Sequence, residues 1–358
     1  MIKISELAQD NFSLKNIGIK FAEISAQERL WLNQKLERNG SKVWLTPDEL
    51  LLFLSIDELA FLIEHFEEGM IKSQLRTIYD RHLVIFSGKN FRFDLTRKPI
   101  VYSIVNVTPD SFYDGAAENL TLSHILKRVE SDLENGAAVL ELGGKSSRPG
   151  YSDISPREEW QRLEKPLKEI KKHFPKAILA VDSDEAEVME AALDAGVDII
   201  NDIDGFDQPD KLQVIEHYRP AVVAMNNGRQ GFKYANNVFE ELPAFFQHKS
   251  QELQELGLHK EQICVDAGVG FFSGDSGVDS VQRVKTTEML SRLGLPVMIA
   301  ISRKSFMGNV FGVNGEERLF STLMFEAQMV ADGGRILRVH DVKETKRLLD
   351  AIEIYQKF

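Results

Sequence analysis

The chain has 358 residues, 43% of them hydrophobic, and a formal net charge of −12 at pH 7. This length exceeds that of a typical single domain, so we expect one large domain and one smaller one. The acidic balance, without a long block of lysine and arginine, argues against nucleic acid or a membrane surface as a partner.

The composition also indicates a cellular compartment. The single cysteine, Cys264, lies inside an apolar run, which excludes an internal disulfide and favours a buried structural thiol. The first residues lack the apolar core of a signal peptide, and no window reaches about 18 uninterrupted apolar residues. We therefore expect a soluble protein of the cytoplasm.

Residues 1–95 predict a small, mainly helical domain of unknown role. Residues 26–38 have the pattern of an amphipathic helix. The sequence TPDE at 46–49 has the pattern of a capping box, with proline at the first helical position, and opens the apolar run 50–66. A second box, SIDE at 55–58, leaves open whether this run is one long helix or two short ones. The polar residues 87–90 mark the end of this part.

Residues 96–358 predict an α/β fold of the closed (β/α)8, or TIM, barrel class. Short apolar runs alternate there with segments of helical length, which matches a barrel of eight βα units in count and length. A doubly wound open sheet is the alternative, but it needs a glycine-rich phosphate turn after its first strand, and the sequence has none. The eight strand-like runs are 99–106, 137–144, 177–183, 197–203, 220–226, 262–268, 296–302 and 335–341.

The ends of these runs predict a binding site, because the carboxyl ends of barrel strands meet at one mouth. Asp182, Asn201 and Asp266 offer acceptors suited to a flat heterocycle with several N–H donors. Other ends offer donors suited to an anion such as phosphate. We therefore expect the ligand to be a donor-rich ring that carries a phosphate group. The anion-binding candidates are Asn106, Lys304, Arg338 and His340.

The seventh run ends in the basic sequence SRKS at 302–305. We expect Lys304 to be the cation between the acceptors and the anion site. Because neighbouring side chains at a strand end point to opposite sides, Ser302 and Arg303 are weaker candidates than Lys304 and Ser305. The alternative is an ion pair between Lys304 and the aspartates that only stabilises the barrel.

Two loops are expected to cover the mouth as a lid. They are residues 107–115, with Asp110 and Phe112, and residues 145–151, with Arg148 and Pro149. Both are long enough to move and carry polar groups beside a stiffening proline.

Seven motifs resemble those of the dihydropteroate synthases, the pterin-binding barrel family of folate synthesis. They occur in the family's order and spacing, and the resemblance covers about residues 99 to 350. The motifs are NVTPDSF (106–112), GGKSSRPG (143–150), VDS (181–183), AALDAGVDIINDI (191–203), VDAGVGF (265–271), SRKSFMG (302–308) and RVHDVKE (338–344).

The resemblance implies that 4-aminobenzoate displaces diphosphate from 6-hydroxymethyl-7,8-dihydropterin diphosphate, with Mg²⁺. It further implies a homodimer and competition by sulfonamides. Three residues would do the catalytic work by stabilising charge: Asp182, Asp266 and Lys304. The pterin ring would be bound by these three with Asn201, Met225 and Arg338, and the diphosphate by Asn106, Arg338 and His340, with Asn106 also meeting the metal. The aminobenzoate pocket would be formed by Phe112, Ser147, Arg148, Pro149, Phe271, Lys304 and Ser305, with Asp110 as a further substrate contact.

Several positions depart from the family pattern. Lys145 and Glu185 stand where the resemblance implies an acidic and a basic residue, so we hypothesise a charge-swapped ion pair. Other departures are at Glu141, Asn226, Ala267, Phe272 and Ser273. They leave open a catalytically silent paralogue that binds pterin or a partner. A pterin-dependent methyltransferase domain is a further alternative, but it has no need of motifs for diphosphate.

Overall fold

The computed structural model describes residues 2–7, 16–36, 41–107, 121–145, 154–228, 237–271 and 277–357. The chain forms two compact units, Met1–Leu83 and Val84–Phe358. The division falls before the expected boundary at residue 95, because the hairpin that follows Leu83 packs with the second unit.

The first unit is an antiparallel sheet with helices on one face. The strands have the order β1-β2-β4-β3, and alternate residues of β2 and β4 pack against all three helices. Its elements are β1 (Lys3–Glu6), β2 (Ile17–Ala22), α1 (Ala26–Lys35), β3 (Ser41–Thr46), β4 (Glu49–Leu54), α2 (Ile56–His65) and α3 (Met70–Arg81).

The helices of this unit include the two that were expected, but its sheet was not expected. The capping box at Ser55 is present and begins α2. The helix start expected at Thr46 is wrong, because Thr46 ends β3 and the next residues turn into β4. In β4 only alternate residues are buried, with Leu50, Leu52 and Leu54 facing the helices. A continuous apolar run hides this period of two, so the sequence pattern could not distinguish the strand from a helix.

The second unit is the expected TIM barrel. Eight parallel strands close in the order β10-β11-β12-β13-β14-β7-β8-β9. A two-stranded hairpin precedes them, β5 (Ile85–Gly88) and β6 (Phe91–Asp94). The barrel strands are β7 (Ile100–Asn106), β8 (Ala137–Gly143), β9 (Ile178–Asp182), β10 (Ile199–Asp202), β11 (Ala221–Met225), β12 (Ile263–Asp266), β13 (Val297–Ile299) and β14 (Ile336–Val339).

Ten helices of the described residues surround the barrel, and a short 3-10 turn, Lys260–Gln262, precedes β12. The barrel strands are buried on both faces, so Val181 and Ile200 face helices while Ala180 and Ile199 face the interior. The helices are α4 (Leu122–Glu134), α5 (Pro156–His173), α6 (Ala186–Asp194), α7 (Pro209–Tyr218), α8 (Val238–Glu255), α9 (Val278–Lys285), α10 (Thr287–Ser291), α11 (Phe306–Phe311), α12 (Arg318–Ala331) and α13 (Val342–Lys357).

The hairpin β5–β6 closes the amino-terminal end of the barrel. Phe86 and Phe91 belong to the core cluster of the barrel interior, which also contains Cys264. Asn90 Nδ2 donates to Asp198 Oδ1 at 2.7 Å, just before β10 begins. Cys264 is buried and free, as expected, and burial raises the pKa of its thiol. None of the helices within the described part of the chain is both long and apolar enough to span a membrane.

Candidate active site

The predicted acceptors lie at the carboxyl end of neighbouring strands. Asn201 on β10 is the register partner of Asp182 on β9, and Asp182 in turn lies beside Gly143 on β8. Gly143 is also the partner of Asn106 on β7. Four consecutive strands thus place an amide, a glycine, a carboxylate and a second amide side by side.

The centre of this group is an ion-pair network around Arg338. Its Nε donates to Glu141 Oε1 at 2.7 Å, and its Nη2 donates to Asp182 Oδ2 at 2.5 Å. Asn201 Nδ2 donates to the other oxygen of Glu141 at 3.0 Å. Glu141 is only 1% exposed, so this charge is neutralised inside the barrel rather than by water.

Burial and pairing act in opposite directions on these groups. Burial raises the pKa of Asp182, and the guanidinium of Arg338 opposes that rise. Burial alone would lower the pKa of Arg338, but Glu141 and Asp182 outweigh it and the pKa is raised. Arg338 therefore stays charged and favours the ionised form of Asp182.

Asp266 supplies the acceptor on the opposite side of the mouth. It ends β12 beside Met225, which ends β11. Its Oδ1 accepts a hydrogen bond from Gly268 N at 2.9 Å. Burial raises the pKa of Asp266, and the positive charge of Lys304 opposes this. The fixed backbone contact holds one carboxylate oxygen in place.

Lys304 lies in the turn after β13, between a carbonyl and an aromatic ring. Its Nζ donates to Val269 O at 2.5 Å and lies 4.6 Å from the ring centre of Phe271. Burial lowers the pKa of Lys304 to about 8, although Asp266 favours its charged form. Among the residues that the structure describes, Lys304 has no ion pair within 4 Å with Asp182 or Asp266. The purely stabilising ion pair is therefore not present.

The side of the mouth predicted to bind an anion contains a neutral histidine. His340 Nδ1 lies 3.1 Å from Ser302 Oγ, which also accepts from the backbone N of His340 at 3.2 Å. Burial, followed by the nearby charge of Arg338, lowers the pKa of His340 to about 3. His340 is therefore neutral near pH 7, and Ser302, expected to be a weak candidate, contacts its ring.

Arg303 has a structural role, which agrees with its weaker rank in the sequence. Its Nε and Nη2 donate to the two carboxylate oxygens of Asp341 at 2.7 and 2.8 Å. The backbone of Arg303 has a φ of 53°, in the left-handed region. Ser305, the other candidate in this motif, is exposed beside the start of α11.

The hypothesised pair between Lys145 and Glu185 is present. Lys145 Nζ lies 3.0 Å from Glu185 Oε1 and 2.9 Å from Asp184 Oδ1. Both contacts join the segment after β8 to the segment after β9, close in sequence to Asp182. The swapped charges therefore preserve an ion pair between two strand ends.

Sequence reasoning missed Arg283, which supports the mouth from α9. Its Nη1 donates to Asn226 O at 2.7 Å, and its Nη2 donates to Asn226 Oδ1 at 3.3 Å. Asn226 thus has a structural partner. An arginine on a surface-type helix carries no sequence signal that it is buried, so only the fold reveals this contact. The expected site residues Asp110, Phe112, Ser147, Arg148 and Pro149, with the departures at Phe272 and Ser273, lie outside the described residues.

A barrel with these acceptors and cations at its mouth suits the class of enzymes that bind a polar heterocycle. A family described as "Pterin binding enzyme" matches residues 102–340. The dihydropteroate synthase of Haemophilus influenzae is 32% identical over 256 residues, covering 70% of this chain and 92% of that protein.

Solved structures agree with this class. The Xanthomonas albilineans dihydropteroate synthase with 4-aminobenzoic acid is 31% identical with a TM-score of 0.70, covering 77% of this chain and 99% of that one. The Yersinia pestis enzyme in a sulfonamide drug complex is 28% identical with a TM-score of 0.69, covering 76% and 99%. The chain belongs to the pterin-binding enzyme family and, within it, to the dihydropteroate synthases.

The ion pair at the ends of β8 and β9 predicts a coupling free energy. Lys145→Glu and Glu185→Lys should each destabilise the barrel by placing like charges together, and the double variant should recover about 1 kcal/mol of that loss. Urea unfolding of the four proteins measures the coupling. The same exchange at the exposed pair Glu164 and Lys168 is the control and should show less. Strictly additive effects at Lys145 and Glu185 would show that the pair is not coupled.

Proposed function

We propose that this chain joins 6-hydroxymethyl-7,8-dihydropterin diphosphate to 4-aminobenzoate, giving 7,8-dihydropteroate and diphosphate. The observation that carries the proposal is that one barrel mouth holds both hydrogen-bond acceptors and cations. The acceptors on β9, β10 and β12 would bond a ring, while Lys304, Arg338 and His340 would donate to an anion. Membership of the dihydropteroate synthases makes this reaction the natural one for such a site.

In the proposed complex the ring donors replace the protein's own contacts. Asp182, Asn201 and Asp266 accept the N–H groups of the pterin, and Lys304 donates to its oxygen. Met225 and Arg338 pack against the ring. In the structure Arg338 bonds Asp182. In the proposed complex the N–H groups of the ring bond Asp182 instead, and the guanidinium turns toward the diphosphate, which Asn106 and His340 also contact.

The reaction requires no nucleophile from the protein. The amine nitrogen of 4-aminobenzoate bonds to the methylene carbon of the pterin, and the bond from that carbon to the diphosphate oxygen breaks. The oxygen keeps the electron pair, and the nitrogen loses one proton to solvent. Positive charge on the ring is stabilised by Asp182 and Asp266, and negative charge on the leaving group by the cations, each well-placed contact being worth about 3–4 kcal/mol.

The described residues suit a Mg²⁺ ion that arrives with its diphosphate. No group of three or more metal-binding side chains occurs among them, but Asn106 Oδ1 lies beside Gly143 of the neighbouring strand, at 3.4 Å from where a Cβ there would lie. Mg²⁺ in such sites commonly takes one protein oxygen with phosphate oxygens and water. When bound, the ion would neutralise charge on the leaving group.

The aminobenzoate is proposed to bind above the ring, against Phe271, Lys304 and Ser305. Phe271 lies over the ammonium of Lys304, which brings an apolar face and a cation together. Such a pair suits an aromatic ring that carries a carboxylate. The further contacts proposed for this substrate, and for the sulfonamides that would compete with it, are Asp110, Phe112, Ser147, Arg148 and Pro149.

We also propose a homodimer through barrel helices, in the cytoplasm, where the free Cys264 stays reduced. Phe320 and Met324 lie one turn apart on α12 and are 74% and 59% exposed, with Phe311 of α11 also exposed. Phe320→Glu should convert the dimer to monomer in sedimentation equilibrium. Leu30→Glu, at an exposed leucine of the first unit, is the control. A monomeric wild-type chain would contradict the dimer, and activity confined to a membrane or secreted fraction would contradict the location.

The direct test is synthesis of dihydropteroate. The protein, Mg²⁺, dihydropterin diphosphate and 4-aminobenzoate should give equimolar dihydropteroate and diphosphate, and a chelator should abolish the product. Lys304→Ala should reduce turnover at least 100-fold while the thermal melting curve stays cooperative. If pterin raises the melting temperature but no product forms, the chain is the catalytically silent paralogue.

The lowered pKa of Lys304 predicts a loss of activity in mild base. Because the cation is the active form, kcat/KM should fall as pH rises through about 8, the pKa of Lys304 in the free enzyme. Lys304→Arg keeps its charge at such pH, so its smaller kcat/KM should stay level up to pH 9. An unchanged fall in Lys304→Arg would assign the titration to another group.

A further inference from the structure

Glu141 is a buried carboxylate that faces no substrate in the proposed complex. It lies within β8, two residues before the strand ends, and both of its oxygens have protein partners. One is Arg338 on β14, and the other is Asn201 on β10. A single carboxylate therefore joins two residues that are proposed to hold the pterin.

The contact with Asn201 decides which atom of its amide faces the pocket. A carboxylate paired with arginine can only accept hydrogen bonds, so the amide NH₂ must turn toward Glu141. The carbonyl Oδ1 is then left for a donor outside the network, and no hydrogen bond from another described residue reaches it. Asn201 is thereby set as an acceptor.

The contact with Arg338 acts in the same direction. Arg338 Nη2 bonds both Asp182 and Glu141, and its Nε also bonds Glu141. When ring donors take Asp182, the guanidinium keeps one carboxylate partner and is not left unpaired inside the barrel. An unpaired buried charge is strongly destabilising, so this second anchor makes Asp182 available to the ring.

We propose that Glu141 is a positioning residue for pterin recognition: it fixes Asn201 as an acceptor and anchors Arg338, so that the pocket selects rings with N–H donors at both Asn201 and Asp182. This role rests on the proposed function. It assigns a specificity-determining task to a side chain that does not touch the substrate.

The test reverses the direction of one hydrogen bond. In Glu141→Gln the new amide must accept from Arg338, so its NH₂ faces Asn201 and forces that amide to turn its own NH₂ toward the pterin. In Asn201→Asp two carboxylates face each other. Each variant should raise the KM for dihydropterin diphosphate roughly 10- to 100-fold, with the KM for 4-aminobenzoate at saturating pterin unchanged.

The double variant, Glu141→Gln with Asn201→Asp, should restore pterin binding. The introduced glutamine then accepts from Arg338 and donates to the introduced aspartate, whose other oxygen accepts from the ring. The total charge of the pocket equals that of the wild type. The KM for pterin should return to within about fivefold of the wild-type value. A double variant no better than the product of the two single effects would overturn the proposal.

Glu326→Gln is the matched control for the substitution itself. Glu326 on α12 is also fully buried, and its Oε2 accepts from Thr345 Oγ1 at 3.3 Å. It lies outside the proposed site, so both KM values should stay at the wild-type level. A wild-type chain that forms no dihydropteroate refutes the proposed function, whereas an active wild type without rescue refutes only the role of Glu141.

A second readout covers the case in which Glu141→Gln does not fold. In Asn201→Asp, one proton shared by the facing carboxylates would recreate the donor and acceptor pair. The KM of Asn201→Asp for pterin, divided by that of the wild type at the same pH, should therefore fall as pH decreases from 8 to 6. The neighbouring groups Tyr102, Asp182 and Arg338 are the same in both proteins, so this ratio removes their own titration. The same pH dependence in both proteins would count against the proposal.

Discussion

The buried guanidinium of Arg338 is the interaction on which the barrel mouth depends. A charge in this position requires opposite charge nearby, and Glu141 and Asp182 provide it from two neighbouring strands. Of these two carboxylates, Asp182 is the one proposed to accept from a ligand that offers hydrogen-bond donors. Glu141 and Asp182 raise the pKa of Arg338, and the guanidinium of Arg338 in turn limits the rise in the pKa of Asp182 that burial causes. In the proposed complex, the carboxylate of Asp182 that neutralises Arg338 would also recognise the ligand.

The barrel could be predicted from sequence because its strands are buried on both faces. Each reads as a short apolar run that ends in a polar residue, and all eight expected runs contain a barrel strand. The secondary structure of the first unit was harder to predict. The strand β4 is a continuous apolar run, so the alternation of buried and exposed residues cannot be seen in the residue types. The expected boundary at residue 95 placed the hairpin β5–β6 in the first domain, whereas it belongs to the second unit. Its Phe86 and Phe91 pack with barrel residues that are distant in sequence.

In the candidate site, the sequence predicted which residues take part but not the contacts between them. Asp182, Asn201, Asp266 and Lys304 could be listed from strand ends, since topology alone brings those ends together. The contacts between these side chains could not be predicted, because such contacts depend on which side chain extends across the barrel. Glu141 was noted only as a departure from the family pattern. Ser302 was ranked low because alternation at a strand end does not report a hydrogen bond across to His340. The sequence did not indicate the role of Arg283, since the residue type alone does not distinguish a buried arginine from an exposed one.

Among the described residues, the hairpin β5–β6 closes the amino-terminal end of the barrel and leaves the opposite end as its mouth. Phe86 and Phe91 fill the interior below the polar layer, and Asn90 fixes the hairpin to the start of β10. In the proposed reaction both substrates enter, and both products leave, through the mouth at the strand ends. Because the pterin is proposed to bind deepest, with the aminobenzoate above it, we expect the pterin to enter first. We also expect dihydropteroate to leave with its aminobenzoate end first.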